Sequence, residues 1–247
     1  MKPPKNGRSV ENNKIKIISV SRDNSLIICN AQKKSTFDNV IFENLSKNAL
    51  NESISGSVTI HESEIDISNS VFSGNRVLDD QLNIVRSKFS LINTQIINSN
   101  SDGVDIDFSD GFIDNLSVIN SNNDGIDFSN SVVQGSNLFI SSSTDKGVSI
   151  GENSQIEISN SRIEESKICL AVKDDSYFTG SNLHLSDAEY GVALYNKKYM
   201  YGLPKSEINN VRFKNIGKNY FLEHGAILKI DNKIYDNYSS SEVKSNF

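Results

Sequence analysis

Apolar and polar positions alternate along the chain in short runs, and these runs repeat with a fixed period between residues 102 and 194. In each unit, one repeated position is followed by an apolar residue, a small or polar residue and a second apolar residue, as in 104–106 and 126–128. That position recurs every 22 residues and is held by Gly103, Gly125, Gly147, Cys169 and Gly191. The alternation predicts β-strands, and a period of this length predicts a solenoid.

A second repeated position holds asparagine and stands three residues before an apolar residue in each unit. It is occupied by Asn39, Asn69, Asn93, Asn115, Asn137, Asn160, Asn182 and Asn210. Asparagine tolerates a left-handed backbone at a corner, and stacked amides can bond to each other along an axis. Three short strands per unit therefore predict an all-β fold, a single-stranded right-handed parallel β-helix (solenoid) of about eight rungs with an Asn ladder. Right-handedness is expected because parallel crossovers are right-handed in nearly all cases.

The limits of the repeat predict the organisation of the chain. We expect the parallel β-helix over 14–219, a C-terminal cap hairpin over 220–238 around Asp231-Asn232, and flexible termini at 1–13 and 239–247. Two units are longer than the others and predict loops near 48–57 and 195–205. We identify no amphipathic helix that would cover the first rung, so we expect a partner or a preceding part of a larger chain to cover it.

Composition excludes some classes of function. The formal net charge is −6 and no basic stripe is present, which argues against nucleic acid as a partner. No apolar run is long enough to predict a membrane span, and residues 1–10 are too polar for a signal peptide. Cys29 and Cys169 form neither a metal-binding spacing nor a disulfide framework, and Cys169 is expected to be a small buried filler.

Candidate chemistry lies on the first strand of each unit. Because side chains alternate on a strand, Asn83, Asp105, Asp127 and Ser149 are expected to form an exposed outward row. A parallel row holds Asp102, Asp124 and Asp145, with Asp107 near the far end of its strand. Carboxylates stacked about 5 Å apart repel, and Lys146 and Lys173 are the nearest residues by register that offset this charge.

Three interpretations of these carboxylates stay open. Asp102, Asp124 and Asp127 could act as catalytic acids and bases in glycoside hydrolysis. Asp105, Asp107 and Asp127 could hold Ca²⁺, although no cofactor is required. In the third, the Asp-Gly pairs turn the chain and the carboxylates are solvated. The side chains expected to contact a ligand are Asp105, Lys146, Lys173, Tyr195, Lys197 and Tyr199.

The three-strand unit with its Asn ladder resembles the pectate-lyase-like superfamily of right-handed parallel β-helices over most of the chain. Successive units also resemble the motifs of polygalacturonases, at 100–103, at 123–124, at 145–147 with 149–151, and at 171–173. The chain departs from that pattern at Asn123, Lys146 and Ala171, where the family has an acid, a histidine and an arginine. The segments 145–154 and 193–202 resemble the β-helix regions attached to CotH-type envelope proteins.

These resemblances and the residues favour a non-catalytic or degenerate module that binds polysaccharide or a protein partner at the cell envelope. An extracellular or envelope location is implied by the resemblance. The alternative is a divergent hydrolase or lyase that acts on acidic glycans through Asp102 and Asp124, with Lys173 on a substrate carboxylate. A second alternative is a structural spacer. The superfold hosts both enzymes and adhesins, so fold alone does not choose.

Overall fold

The computed structural model describes residues 14–20, 24–46 and 55–236, and these residues form strands joined by short turns, without a helix. The predicted loop near 48–57 lies mostly outside the described residues, as do both predicted flexible termini. The strands are β1 Ile15–Ile18, β2 Leu26–Cys29, β3 Ser35–Asp38, β4 Val40–Glu43, β5 Gly56–His61, β6 Ile65–Ser68, β7 Val71–Ser73, β8 Asp80–Val85, β9 Lys88–Ser99, β10 Asp102–Asp107, β11 Asp110–Ser121, β12 Ile126–Ser129, β13 Val132–Ser136, β14 Phe139–Gly151, β15 Gln155–Lys173, β16 Tyr177–Tyr195, β17 Lys205–Leu222, β18 Ile227–Ile230 and β19 Lys233–Tyr235.

Three parallel sheets wind around one core, and each unit of the sequence supplies one strand to each sheet. The first sheet contains β2, β5, β8, β10, β12 and the last parts of β14, β15, β16 and β17. The second sheet begins at β3 and ends at β18, and the third begins at β1 and ends in the middle of β17. Long strands such as β15 bend at the corners and pass through all three sheets. The stack has about nine turns, which confirms the parallel solenoid.

The core is a continuous apolar column inside the three sheets. Val104, Ile106, Ile113 and Val118 are fully buried there, and neighbouring turns contribute equivalent residues. Phe42 and Phe72 stack with their ring centroids 4.6 Å apart. Cys169 is fully buried, as the sequence predicts. Each turn buries few apolar residues, which explains how a chain with 36% hydrophobic residues forms a stable core.

The asparagine ladder is confirmed at the corner between the second and third sheets. All eight predicted asparagines have a positive φ, between 49° and 62°. Amide-to-amide hydrogen bonds join Asn115 to Asn93 at 2.9 Å and Asn210 to Asn182 at 2.7 Å. Asn137 instead donates to the carboxylate of Asp114 at 2.7 Å, which interrupts the amide ladder.

A serine ladder, which the sequence analysis did not identify, lies at the corner between the first and second sheets. Each hydroxyl accepts a hydrogen bond of 3.0–3.1 Å from a backbone amide of the preceding turn. The serines are Ser63, Ser87, Ser109, Ser131, Ser154 and Ser176. The side chains thus satisfy amides that the bent backbone leaves without a ladder partner.

We expect Ser131→Ala to lower the free energy of unfolding by about 1 kcal/mol, because the buried amide of Ser109 loses its acceptor. Chemical denaturation checks this. Ser117→Ala is the matched control, since Ser117 is only partly buried on the third sheet, and we expect a change below about 0.5 kcal/mol. Equal effects of the two variants would show that the ladder does not stabilise the corner.

The two ends of the solenoid differ. At the C-terminal end, residues 220–222 still pair with the first sheet and β18 extends the second sheet, so parallel stacking continues beyond the boundary predicted at 219. The chain then reverses at Asp231 and Asn232, and β19 pairs antiparallel with β18. At the N-terminal end, Ile15 is 63% and Val20 97% exposed beside a groove of about 550 Å³.

Candidate functional site

The outer surface of the first sheet carries the candidate site. Gly103 faces the interior, because an added Cβ would lie 2.5 Å from Val118 Cγ1, and the next residue, Val104, is also buried in the core. Two consecutive residues thus face inward, and the residue before the glycine is left outside: the equivalent Ile168 packs with Ala171 outside the main core. The outward aspartates of three consecutive turns form what we call the acidic face, consisting of Asp80, Asp102, Asp105, Asp107, Asp124 and Asp127.

Asp102, Asp124 and Lys146 follow one another along the axis of the solenoid. Asp102 Oδ1 accepts hydrogen bonds from Asn123 Nδ2 at 2.7 Å and from the Asp124 amide at 2.8 Å. Asp124 Oδ1 accepts from the Lys146 amide at 3.0 Å, and Lys146 Nζ lies 3.4 Å from the same oxygen and also pairs with Asp145. The predicted charge compensation by Lys146 is therefore present.

A second row places Asn83, Asp105 and Asp127 in register. Asn83 Nδ2 donates to Asp105 Oδ2 at 3.1 Å. Lys173 Nζ lies 3.9 Å from Asp127 Oδ1, so this lysine also compensates a carboxylate. Its side chain passes over Gly151, where an added Cβ would lie 3.4 Å from Lys173 Cε, an ordinary contact.

Burial controls the protonation of the acidic face. It raises the pKa of Asp102 to about 7, with a further contribution from the neighbouring Asp124 carboxylate. Burial and then the charges of nearby carboxylates raise the pKa of Asp80 to about 8 and that of Asp105 to about 10. Burial likewise raises the pKa of Asp107 and of Asp124, and Lys146 opposes the increase at Asp124.

The predicted exposure of the outward row is wrong for two of its members. Asn83 is 4% exposed and Ser149 is fully buried, whereas Asp105 and Asp127 are half-buried. Alternation along a strand fixes the direction of a side chain, but longer side chains in neighbouring rows decide whether solvent reaches it. Asp102 and Asp124 are also buried, as are Lys146 and Lys173, so Asp105, Asp107 and Asp127 are the more accessible carboxyls.

The aromatic residues predicted to bind a ligand separate into two environments. Tyr195 is 3% exposed and packs with Ala171, Ala193 and Phe221, so its ring does not offer the open stacking surface that the sequence predicts. Burial also raises the pKa of Tyr195. Tyr199 is 93% exposed on the loop over 196–204.

The loop over 196–204 is anchored at the corner where first-sheet strands end. The backbone amides of Lys197 and Lys198 each donate to Asp174 Oδ1 at 2.7 Å. Lys198 Nζ pairs with Glu152, one residue beyond Gly151. The loop therefore borders the lysine-bearing side of the acidic face and holds Lys197 and Tyr199 exposed there.

Two important residues escaped the sequence analysis. Asp80 is 1% exposed and lies in register with Asp102, from which it is separated by one 22-residue period. The period was the signal that could have found it, but Gln81 stands where the later units have glycine. Asp174 anchors the loop through backbone amides, a role that no sequence pattern indicates.

The calcium hypothesis gains no support from the geometry. Asp105, Asp107 and Asp127 supply the oxygen donors that Ca²⁺ prefers. Among residues 14–20, 24–46 and 55–236, however, no group of three or more His, Cys, Asp or Glu side chains is arranged to hold a metal ion. Calcium binding stays a prediction. In the same residues, no helix has the length and apolar character needed to cross a membrane.

Comparison of the sequence with protein families identifies the fold family. The profile of a family described as right-handed β-helix region matches residues 81–246. The chain belongs to the right-handed β-helix family. This match confirms the predicted handedness and the pectate-lyase-like fold, while the finer resemblances to polygalacturonases and to CotH-attached regions stay predictions. Among curated proteins, none matches this β-helix protein by sequence.

Two solved structures of a bacteriophage tailspike share the fold of this β-helix protein at low identity. The enzymatically active domain of bacteriophage CBA120 tailspike protein 2 has a TM-score of 0.58 and 13% identity over 78% of this chain and 35% of that one. Full-length tailspike protein 2 from Escherichia coli O157:H7 bacteriophage CAB120 has a TM-score of 0.54 and 10% identity over 84% and 35%. The catalytic domain of a GH87 α-1,3-glucanase, in complex with tetrasaccharides, has a TM-score of 0.48 and 12% identity over 84% and 56%. This chain thus spans about a third of the tailspike chains.

Proposed function

We propose that this β-helix protein binds polysaccharide across the acidic face. The observation that carries the proposal is the arrangement of half-buried Asp105, Asp107 and Asp127 over a layer of buried polar side chains. Carboxyl groups fixed by neighbours on a rigid sheet can donate and accept hydrogen bonds with sugar hydroxyls at low entropic cost. The similarity to the enzymatically active domain of a bacteriophage tailspike shows the fold alone.

Unpartnered buried atoms support a ligand or ordered water on this face. Asp80 Oδ2, Asp127 Oδ1 and Ser149 Oγ are buried and lack a hydrogen-bond partner within the described residues. Buried polar atoms without partners cost free energy, and they are uncommon where no solvent or ligand supplies the missing bond. Ordered water beneath the half-buried carboxyls would supply both donors and acceptors at these positions and would join them to a ligand on the face.

The charge of the face favours a neutral polysaccharide. The raised pKa values of Asp80, Asp102 and Asp105 keep protons on these carboxyls near neutral pH, and Lys146 and Lys173 offset other carboxylates. A protonated carboxyl donates one hydrogen bond and accepts others, as a sugar hydroxyl does. Lys146 and Lys173 are already paired with Asp124 and Asp127, so they offer little attraction to a polyanion, which disfavours acidic glycans.

Affinity electrophoresis on soluble neutral glucans and galactomannan, with polygalacturonate as the acidic comparison, tests the proposal. We expect retention by a neutral polymer and a loss of about tenfold or more in affinity for Asp127→Ala, because a hydrogen bond to a charged group is removed. Glu157→Ala is the matched control, since Glu157 is an exposed acidic residue on the second sheet, two turns beyond Phe112. Retention only by polygalacturonate, or equal retention of both variants, contradicts binding of neutral polysaccharide at this face.

Hydrolysis is a second candidate function, favoured by the state of Asp102. Its Oδ1 accepts two hydrogen bonds, so a proton on this carboxyl is placed on Oδ2, and a pKa of about 7 suits a general acid. Asn123, which cannot donate such a proton, is bound to the same carboxyl. New reducing ends formed by the parent protein and abolished in Asp102→Asn would establish this activity, and retention without product would leave the binding module.

A further inference from the structure

Phe108 is an unusual residue for its place in the solenoid. It occupies the corner between the first and second sheets with φ of 50°, in the left-handed region. The residues with positive φ at this corner in other turns are polar, namely Asn30, Glu62, Arg86, Asn130, Glu152, Asn153, Asp174 and Asp175. A bulky aromatic residue is a rare occupant of the left-handed region, and such strain persists where the surrounding structure imposes it, often at functional sites.

The ring of Phe108 is held in place but remains open to solvent. The guanidinium of Arg86, one turn earlier, lies 5.0 Å from the ring centroid, within the range of a cation–π contact. The Phe108 amide donates to the Ser129 carbonyl at 2.9 Å, and the Arg86 amide donates to the Asp107 carbonyl at 2.9 Å. Phe108 is nevertheless 50% exposed. A fixed, exposed aromatic ring is a ready contact surface because little entropy is lost on binding.

Phe108 continues directly from the acidic face. It follows Asp107 in sequence and stands three residues after Asp105, about 10 Å along the strand direction. Beyond the corner, Phe112 of the same turn is 41% exposed and Val132 of the next turn is 51% exposed. Polar contacts on the first sheet therefore lead to Phe108 at the corner and, beyond it, to a mixed surface where Asp110 lies between exposed apolar side chains.

We propose that Phe108 is the stacking platform for one pyranose ring of a polysaccharide that crosses the acidic face along the strand direction. This inference rests on the proposed function. It adds a subsite at Phe108, the direction in which the polysaccharide runs, and a pyranose ring as the part of the ligand that is recognised. The C–H face of a pyranose is apolar and packs on an aromatic ring, while its hydroxyls reach polar groups at the rim. Asp105 and Asp107 would bind the hydroxyls of the adjoining sugar residue.

The substitution Phe108→Asn tests the subsite without straining the fold. Asparagine already occupies this corner in the next turn, where Asn130 has φ of 49°, so the variant keeps the backbone while it removes the ring. We expect its affinity for the neutral polysaccharide that the parent binds to fall about tenfold, with no loss of thermal stability. Phe108→Tyr, which keeps the ring, is expected to bind like the parent.

Tyr177→Asn is the matched control, because Tyr177 is 44% exposed on the second sheet and lies away from the acidic face. It is expected to bind like the parent. If the parent and Phe108→Asn bind glycan equally well, the subsite is overturned and the proposed function stays intact. A Phe108→Asn variant that loses affinity only together with thermal stability overturns it also, since the ring would then be structural. A parent that retains none of the glycans overturns both.

Discussion

Raising the pH from about 5 to about 9 is expected to lower the free energy of unfolding, the reverse of the usual behaviour of carboxylates. The folded pKa values of Asp102, Asp80 and Asp105, about 7, 8 and 10, lie above the unfolded value of 3.8. Between these values the unfolded chain releases a proton that the folded protein keeps, so stability falls as pH rises through this interval. At about 1.4 kcal/mol per pH unit, Asp102 alone contributes a loss on the order of 4 kcal/mol between pH 4 and 7.

The substitution Asp105→Asn isolates the contribution of one buried carboxyl to the loss of stability at high pH. The amide has the shape of the protonated carboxyl and stays neutral, so we expect the variant to become more stable than the parent as pH rises towards 9. Chemical denaturation at a series of pH values measures the difference. Asp114→Asn is the control and is expected to become less stable than the parent as pH rises. Hydrogen bonds from Ser136 and Asn137 lower the pKa of Asp114, so its ionised form stabilises the folded protein. Parallel pH profiles of Asp105→Asn and the parent would show that Asp105 is ionised in the folded state.

Gly125→Val is expected to destabilise the solenoid by about 3 kcal/mol or more. A Cβ on Gly125 would lie 2.5 Å from the Gly147 carbonyl oxygen and 2.6 Å from Ile140 Cγ2. Because the first contact is with backbone, the neighbouring turn has to move, and overpacking a close-packed core costs free energy. The temperature of unfolding and the denaturation midpoint measure the loss.

Gly135→Ala provides the comparison within the same stack. A Cβ on Gly135 would be 3.4 Å from Leu138 Cδ1 and 3.5 Å from Ile158 Cγ1, which are ordinary contacts. We expect this variant to be unchanged or more stable by up to about 1 kcal/mol, because alanine reduces the freedom of the unfolded chain. If Gly125→Val and Gly135→Ala have the same effect, close approach between turns is not the reason for glycine at 125.

Periodicity in the sequence was sufficient to predict the architecture. The 22-residue spacing and the asparagine positions predict three sheets, parallel pairing and left-handed corners, because each turn repeats the same local geometry. The serine ladder was not recognised, since serine is abundant and its hydroxyls bond across turns rather than along the sequence. The parallel strands beyond residue 219 also escaped prediction, because Asn219 stands at the position that Gly191 holds one turn earlier.

For the candidate site, the sequence predicted which residues share a face but not their environment. Register alone brought Asp102, Asp124 and Lys146 together, as expected. The burial of Asn83, Ser149 and Tyr195 depends on side chains from neighbouring turns, which no pattern within one turn reveals. Phe108 was overlooked for the converse reason, since an aromatic residue beside apolar strands is ordinarily assigned to a core.

Because the fold is a stack of turns, the acidic face can become longer or shorter only by whole turns. Asp102, Asp124 and Lys146 occupy successive turns. The loop over 196–204 is anchored on Glu152, in the turn of Lys146, and on Asp174 in the next turn. Duplication of one 22-residue unit between these turns would preserve every strand register and move the loop about 4.8 Å farther from Asp102. Evolution of such a chain can therefore alter the length of the acidic face by copying a turn, without redesigning the contacts inside it.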